Sequence, residues 1–349
     1  MRIAQISPLY ESVPPKYYGG TERVVSYLTE ELVRLGHEVT LFASGDSVTR
    51  AELKSQTPQA LRLNRACIDP LAHHVCMLER VFRNEGEFDV LHFHLDYLHF
   101  PLARAMGQPT LTTQHGRLDL PDLVPLYKEF SDMMLVSISN YQRRPLPFAN
   151  WVATVYHGLP PHLYRLQPRP GDYLAFLGRI SPEKRVDRAI EIAVRCDLPL
   201  RIAAKVDKAD EAYYRERIKP LLQHPLVTYL GEIGEQYKNE FLGGARALLF
   251  PIDWPEPFGL VMVEALACGT PVIAFRNGSV PEVLEDGKTG FIVHNVNEAV
   301  TAVGKLDRLS RSHCRQVFET RFTAERMARD YLKLYYRLKN EYGKLSRVA

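Results

Sequence analysis

Apolar residues along this chain fall into two alternating series of short strands and amphipathic helices. The first series opens with an apolar strand at residues 2–7, followed by a loop containing Pro and Tyr that closes on Gly19-Gly20. Thr21 is placed to cap a helix in which Val24, Val25, Leu28, Leu32 and Leu35 recur at helical spacing. Gly36 ends that run, and residues 39–43 read as the next strand. Further strands are predicted at 88–93, 110–113, 133–138 and 151–155. Residues 158–172 are rich in proline and read as a linker. The second series places strands at 173–177, 200–204, 227–230, 247–250, 272–275 and 291–293. Between them, Val186, Ala189, Ile190, Ala193 and Val194 form one apolar helical face.

Most of these strands are unbroken apolar runs, the pattern of parallel strands covered by helices on both faces. The prediction is an α/β protein of two doubly wound parallel-sheet domains, residues 1–165 and 166–322. A long final helix is predicted from about residue 323, within 323–349.

Composition removes other classes. The 349 residues suffice for two separate cores, and 46% hydrophobic with 24% charged residues is ordinary for globular proteins. With 44 basic against 41 acidic residues, the net charge of +3 gives no reason to expect nucleic acid as a partner. Residues 321–349 carry eight basic and three acidic side chains. They read as a solvated helix face, with contact to a membrane surface as the alternative. Cys67, Cys76, Cys196, Cys268 and Cys314 contain no CxxC, which argues against a zinc ribbon or a disulfide framework and fits a reducing compartment. MRIAQISPLY lacks a signal-peptide pattern, and no run approaches the roughly 18 apolar residues of a spanning helix. A cytoplasmic location is expected, with peripheral membrane contact left open.

Several familiar motifs fail. Asp286-Gly287-Lys288-Thr289 resembles the end of a P-loop, but Glu282 stands where that loop needs glycine. No GxGxxG follows the first strand, and HExxH and GxSxG are absent. His92, His94 and Asp96 would share one strand face, with His99 nearby, yet no further ligand cluster accompanies them, so no metal is expected.

Other positions carry chemistry. Glu264 is the single charge from Gly259 to Gly269, a stretch that reads as a buried helix. A carboxylate there is costly unless hydrogen-bonded, which leaves two readings: a buried ion pair, or an acceptor of bonds from ligand hydroxyls. Glu256 lies in the preceding loop between Pro255 and Pro257, and Phe258, Gly259 and Leu260 offer backbone N–H groups at a helix start, which favours anions. Gly178-Arg179-Ile-Ser-Pro-Glu-Lys184 directly follows a strand, with Ser181 placed to cap and Pro182 to start a helix. Arg179 and Lys184 would then stand at a strand's C-terminal end, where open α/β sheets bind ligands, and two fixed cations suit a diphosphate. Gly19 and Gly20 would let backbone approach a ligand closely. His94 and His115 end two apolar strands, as candidates to bond a polar substrate or move a proton, or as satisfied structural groups.

Together these segments resemble the family-4 retaining glycosyltransferases, whose GT-B architecture has two Rossmann-like domains facing across a cleft. Glu256 and Glu264, with seven residues between them, are similar to that family's E-x7-E motif. Gly178-Arg179 with Lys184 resembles its phosphate-binding motif, and Gly19-Gly20-Thr21-Glu22-Arg23 resembles its N-terminal glycine loop. Ser137-Ile-Ser-Asn-Tyr141 and Gly278-Ser-Val-Pro-Glu282 are similar to recurring family segments. The resemblance implies that Glu264 binds donor ribose hydroxyls and Glu256 donor-sugar hydroxyls, with backbone contacts from Phe258, Gly259 and Leu260. It implies that Arg179 and Lys184 neutralise the diphosphate, that Gly20 lets the N-terminal domain close on it, that His94 lies near the sugar, and that His115 lies near acceptor or sugar. The last helix would pack back on the N-terminal domain. Two departures stand out: His157-Gly158 replaces the family's common Asn-Gly, and Lys205-Val-Asp lacks the glycines often found there.

The implied reaction is metal-independent, retaining transfer of a hexosyl group from a UDP- or GDP-sugar to a sugar, lipid-linked or small-molecule acceptor, with no cofactor. A sugar-nucleotide epimerase of the same fold, a non-catalytic nucleotide-sugar binder and a nicotinamide dehydrogenase are the competing readings.

Overall fold

The computed structural model describes residues 1–17, 19–107 and 110–345, apart from the side chains of Glu85 and of residues 341–345. The chain divides into two units, Met1–Gly158 together with the residues from Ala324 on, and Leu159–Thr323.

The first unit holds seven strands: β1 Arg2–Ile6, β2 Glu38–Ala43, β3 Glu52–Ser55, β4 Val90–Phe93, β5 Thr110–Thr113, β6 Leu135–Ser137 and β7 Trp151–Thr154. Their order is β3-β2-β1-β4-β5-β6-β7, and every pairing is parallel. β3 was not among the predicted strands. It is a sheet-edge strand of sequence ELKS, partly exposed, so it carries no apolar run to betray it. The order reverses beside β1, which places the switch point of this sheet at the C-terminal ends of β1 and β4. Ile6, Leu9, Phe93, Phe100, Tyr127 and Leu135 form part of its core.

The second unit holds β8 Tyr173–Arg179, β9 Leu200–Lys205, β10 Val227–Gly231, β11 Ala245–Phe250, β12 Val272–Phe275 and β13 Gly290–Val293. They are ordered β10-β9-β8-β11-β12-β13, all parallel, with the reversal between β8 and β11. Leu174, Phe176, Ile190, Ile202, Leu249 and Ile273 belong to a separate core. The α/β class and both doubly wound sheets therefore stand as expected.

The division falls at Leu159, earlier than the 165/166 boundary read from the sequence. Leu159 donates its N–H to the Phe322 carbonyl at 2.9 Å and bridges Thr323. Arg315 donates to the carbonyls of Pro161 and Tyr164 at 2.9 and 2.7 Å. The proline-rich stretch is thus hydrogen-bonded into the second unit.

The last helix, Ala324–Leu345, returns to the first unit. Met327, Ala328, Tyr331, Tyr335 and Leu338 are its buried stripe, and it packs on the helix Gly20–Arg34. Its basic bias is partly met locally: Arg326 pairs with Asp330 at 3.2 Å, Arg329 with Glu325 at 2.6 Å and Lys333 with Asp330 at 2.8 Å. Lys339 pairs with Asp89 at 3.2 Å. The end of the predicted helix, residues 346–349, lies outside the described residues. Among the described residues, no helix is long and apolar enough to cross a membrane.

Candidate active site

In the second unit, β8 runs on through Gly178 and Arg179, so Arg179 is the last strand residue rather than part of a loop. Ser181 makes no capping bond; Pro182–Lys184 is a single tight turn, and Arg185 adopts φ 53° before the helix Val186–Arg195 begins. This left-handed residue separates turn from helix, and Lys184 sits just before it. The first unit corrects the reading in the same way, because its helix begins at Gly20 with Gly19 as N-cap and Thr21 inside the first turn. A Cβ on Gly19 would lie 2.8 Å from Pro15 Cβ, so that turn needs glycine for space.

Lys184 reaches the loop that follows β11. Its ammonium bonds Glu256 Oε2, which also accepts from Trp254 Nε1 at 2.9 Å, and it stands 4.8 Å from the centroid of the Trp254 ring. The two segments are stitched together by Asp253. Its N–H donates to the Glu183 carbonyl at 2.8 Å, and its carboxylate takes Arg185 at 2.9 Å and Arg188 at 3.1 Å. Gly278 packs flat on Glu256: a Cβ there would fall 2.3 Å from the Glu256 nitrogen, and its φ is 57°. Ser279 donates its N–H to the Glu256 carbonyl at 2.9 Å and its hydroxyl to the Phe258 carbonyl at 2.8 Å. Glu256 Oε1 bonds to no described residue.

Gly259, at φ 78°, is the N-cap of the helix Leu260–Ala267. Glu264 is buried in that helix at 3% exposure, and Lys238 answers its charge at 2.7 Å. Of the two readings given for Glu264, the ion pair is therefore present. It uses Oε1 alone; Oε2 has no partner among the described residues.

Arg179 lies in a different setting. It pairs with Glu183, with Asp207 at 3.3 Å and with Asp210 at 3.7 Å, while Lys205 takes Asp207 at 2.8 Å. The departure noted at Lys205-Val-Asp is what brings Asp207 onto Arg179. Among the described pairs, three carboxylates face Arg179 and Lys205, and they offset part of the field that Arg179 would exert on a phosphate.

In the first unit, the histidines form a buried network. His94 bonds His115 Nε2 through Nδ1 at 2.8 Å and Gln5 Oε1 through Nε2 at 2.9 Å. Both nitrogens of His94 are thus hydrogen-bonded within the protein. His92 bonds Tyr335 at 2.7 Å and Thr113 at 2.8 Å. His99 bonds Thr112 at 2.8 Å and stacks on Phe93, whereas the His92 and His94 rings lie 4.2 Å apart. Burial pushes His115 and His99 down to about 3, and holds His92 and His94 well below the ordinary imidazole range, with neighbouring histidines adding to it. Gln142 braces the strand end, donating to the carbonyls of Gln114 at 3.0 Å and Gly116 at 2.9 Å. Its N–H takes Ser139 Oγ at 3.1 Å, which gives the Ser137–Tyr141 segment a local job.

Sequence reasoning missed Gln5, Asp207, Lys238, Trp254, Tyr331 and Tyr335. Gln5 had a signal, a lone amide within an apolar strand. So did Tyr331 and Tyr335, two aromatic residues one helical turn apart on the apolar stripe of a basic helix.

Two Rossmann-like units, the second carrying acidic side chains and a lysine where its strand order reverses, define the GT-B class of glycosyltransferases. A family model described as "Glycosyl transferases group 1" matches residues 166–320, and one described as "Glycosyltransferase Family 4" matches residues 18–190. The chain belongs to the family-4 glycosyltransferases and is a glycosyltransferase. It is 27% identical over 322 residues to a phosphatidyl-myo-inositol mannosyltransferase of Mycolicibacterium smegmatis, spanning 84% of this chain and 81% of that one. Its fold matches sucrose-phosphate synthase from Thermosynechococcus elongatus with TM-score 0.80 at 18% identity, over 97% and 99% of the two chains. It also matches Anabaena HepE in complex with UDP and glucose, with TM-score 0.75 at 16% identity, over 97% and 100%.

Proposed function

We propose that the chain transfers a hexosyl group from a UDP- or GDP-sugar to an acceptor hydroxyl, with retention and without a metal. The observation that carries this reading is the state of the two glutamates. Each is neutralised by a lysine through one oxygen, and the other oxygen has no partner among the described residues. A buried carboxylate with a spare acceptor fits ligand hydroxyls, donor sugar at Glu256 and ribose at Glu264. Phe258, Gly259 and Leu260 would add backbone contacts, with Gly178 allowing close approach.

In the proposed step, the bond between the anomeric carbon and the diphosphate breaks and its electron pair leaves with the phosphate. The acceptor oxygen bonds to that carbon on the same face, and its proton passes to the leaving phosphate. Charge grows on the diphosphate, where a fixed ammonium stabilises the transition state more than the ground state. Lys184 is assigned most of that work, because one carboxylate, Glu256, shares its charge, whereas three surround Arg179. The acceptor would be a sugar, a lipid-linked group or a small molecule. The relative named for phosphatidyl-myo-inositol supports a lipid-linked one. A cytoplasmic reaction with peripheral membrane contact suits such an acceptor.

Calorimetric titration of UDP, GDP and ADP into wild type and Glu264→Ala tests the donor site. One nucleotide bound by wild type and lost in the variant is the expected result. Equal affinity in both chains would remove the ribose role from Glu264.

A further inference from the structure

We infer that Gln5 and Tyr335 fix the tautomer of His115, so that its Nδ1 meets a ligand hydroxyl only as a hydrogen-bond acceptor. The ligand part of this inference rests on the proposed transfer reaction; the tautomer part rests on geometry alone.

Seven side chains form one connected line: His115, His94, Gln5, Tyr335, His92, Thr113 and Tyr331. They come from β1, from β4 and β5 with the residues just after each, and from the last helix. The Gln5 amide gives the line its direction, because its oxygen can only accept and its nitrogen can only donate. Gln5 Oε1 takes His94 Nε2 at 2.9 Å, so that nitrogen carries the proton. A neutral ring has one proton, so His94 Nδ1 accepts, and His115 Nε2 must donate to it across 2.8 Å. His115 Nδ1 is then left as a bare lone pair, and it bonds to no described residue.

The other half of the line agrees. Gln5 Nε2 donates to the Tyr335 oxygen at 3.0 Å, Tyr335 gives its own proton to His92 Nδ1 at 2.7 Å, and His92 Nε2 donates to Thr113 at 2.8 Å. Thr113 finally donates to Tyr331 at 2.8 Å. Each bond of the line then has one donor and one acceptor, provided all three imidazoles are neutral, and burial keeps them so. Gln5, His94 and Tyr335 are thus positioning residues. They act through His115, half-buried at the end of the line.

The test begins with the wild-type protein, selectively labelled with 15N-histidine. NMR should find His115 protonated on Nε2 and not on Nδ1. A proton on Nδ1 would mean that the line runs the opposite way, and would overturn the inference. Tyr335→Phe removes the acceptor of the Gln5 amide, whereas Tyr331→Phe removes only the terminal partner. Tyr335→Phe should leave His115 as a tautomer mixture and lower kcat/KM for sugar transfer about tenfold, the worth of one internal hydrogen bond. Tyr331→Phe should keep the single tautomer and stay within about twofold. If Tyr335→Phe lowers Tm but changes neither tautomer nor kcat/KM, the tyrosine is merely structural and the inference fails. If wild type has the stated tautomer but transfers no sugar, the tautomer part stands and the transfer reading fails.

Discussion

Glu22 should make the protein less stable as the solution becomes less acidic. It lies in the first turn of the helix Gly20–Arg34 and is 5% exposed. Burial pushes its carboxyl up from 4.5 to about 7; the Glu11 charge adds to the rise, while backbone N–H groups and Arg62 oppose it. The folded value lies above the unfolded one, so between the two the folded chain holds the extra proton. Its stabilising contribution is complete below about pH 4.5 and is lost as pH rises through about 7. From pH 5 to pH 8 the loss is roughly 2–3 kcal/mol, taking about 1.4 kcal/mol for each pKa unit. The buried histidines act oppositely: their folded values are depressed, so their contribution is lost as pH falls below about 6.5. Wild type alone would therefore give a mixed curve. Comparison with Glu22→Gln removes the shared histidine effect. Urea unfolding of both chains from pH 5 to pH 8, following the transition of the first unit, should show the variant gaining on wild type by that 2–3 kcal/mol. A difference that stays flat across the range would refute the assignment of a buried, protonated Glu22.

The remaining predictions concern the candidate site and the second unit. Lys184→Ala should lower kcat by at least a hundredfold with unchanged circular dichroism, whereas Arg179→Ala should cost only about tenfold; equal losses would reject the argument from local carboxylates. Asp207→Asn removes one of those carboxylates and should tighten nucleotide diphosphate binding, read by calorimetry. Arg311 donates to Gln167 O at 2.6 Å, Gly243 O at 2.6 Å, Ala245 O at 2.9 Å and Thr270 Oγ1 at 2.8 Å. Its replacement by Ala should cost the second unit at least about 3 kcal/mol in urea unfolding, since buried carbonyls lose their donor. Among the thiols, exposed Cys76 should react first with a disulfide reagent; Cys268 and Cys314, buried and pushed up to about 12, should react only on unfolding.

The sheets were legible because buried parallel strands are written as apolar runs, and β1, β4 and β12 stand where such runs lie. β3 was not, since an edge strand of ELKS gains its pairing from a neighbour and not from burial. Helix starts misled at Thr21 and Ser181 because a cap depends on backbone angles, and Arg185 at φ 53° moves the second start beyond any capping side chain. At the candidate site, the spacing of Glu256 and Glu264 and the position of Lys184 could be read directly. Their counter-charges could not: Lys238 reaches Glu264 from another helix, and Asp207 reaches Arg179 from the end of a different strand. Gln5 and Tyr335 lie at opposite ends of the chain, and only the folded first unit makes them neighbours.

The join between Leu159 and Thr323 also sets an order on synthesis. Both ends of the second unit meet there, the Leu159 N–H on the Phe322 carbonyl at 2.9 Å. A ribosome that has released residue 323 has therefore delivered a unit with all six of its strands and both its ends in place. The first unit, begun earlier, is still missing the helix Ala324–Leu345, so the half of the protein made first is the half finished last. Until Tyr331 and Tyr335 emerge, His92 has no tyrosine to meet. A nascent chain halted at residue 323 should thus resist protease over its second unit while His92, Gln5 and Thr113 still lack their tyrosine partners.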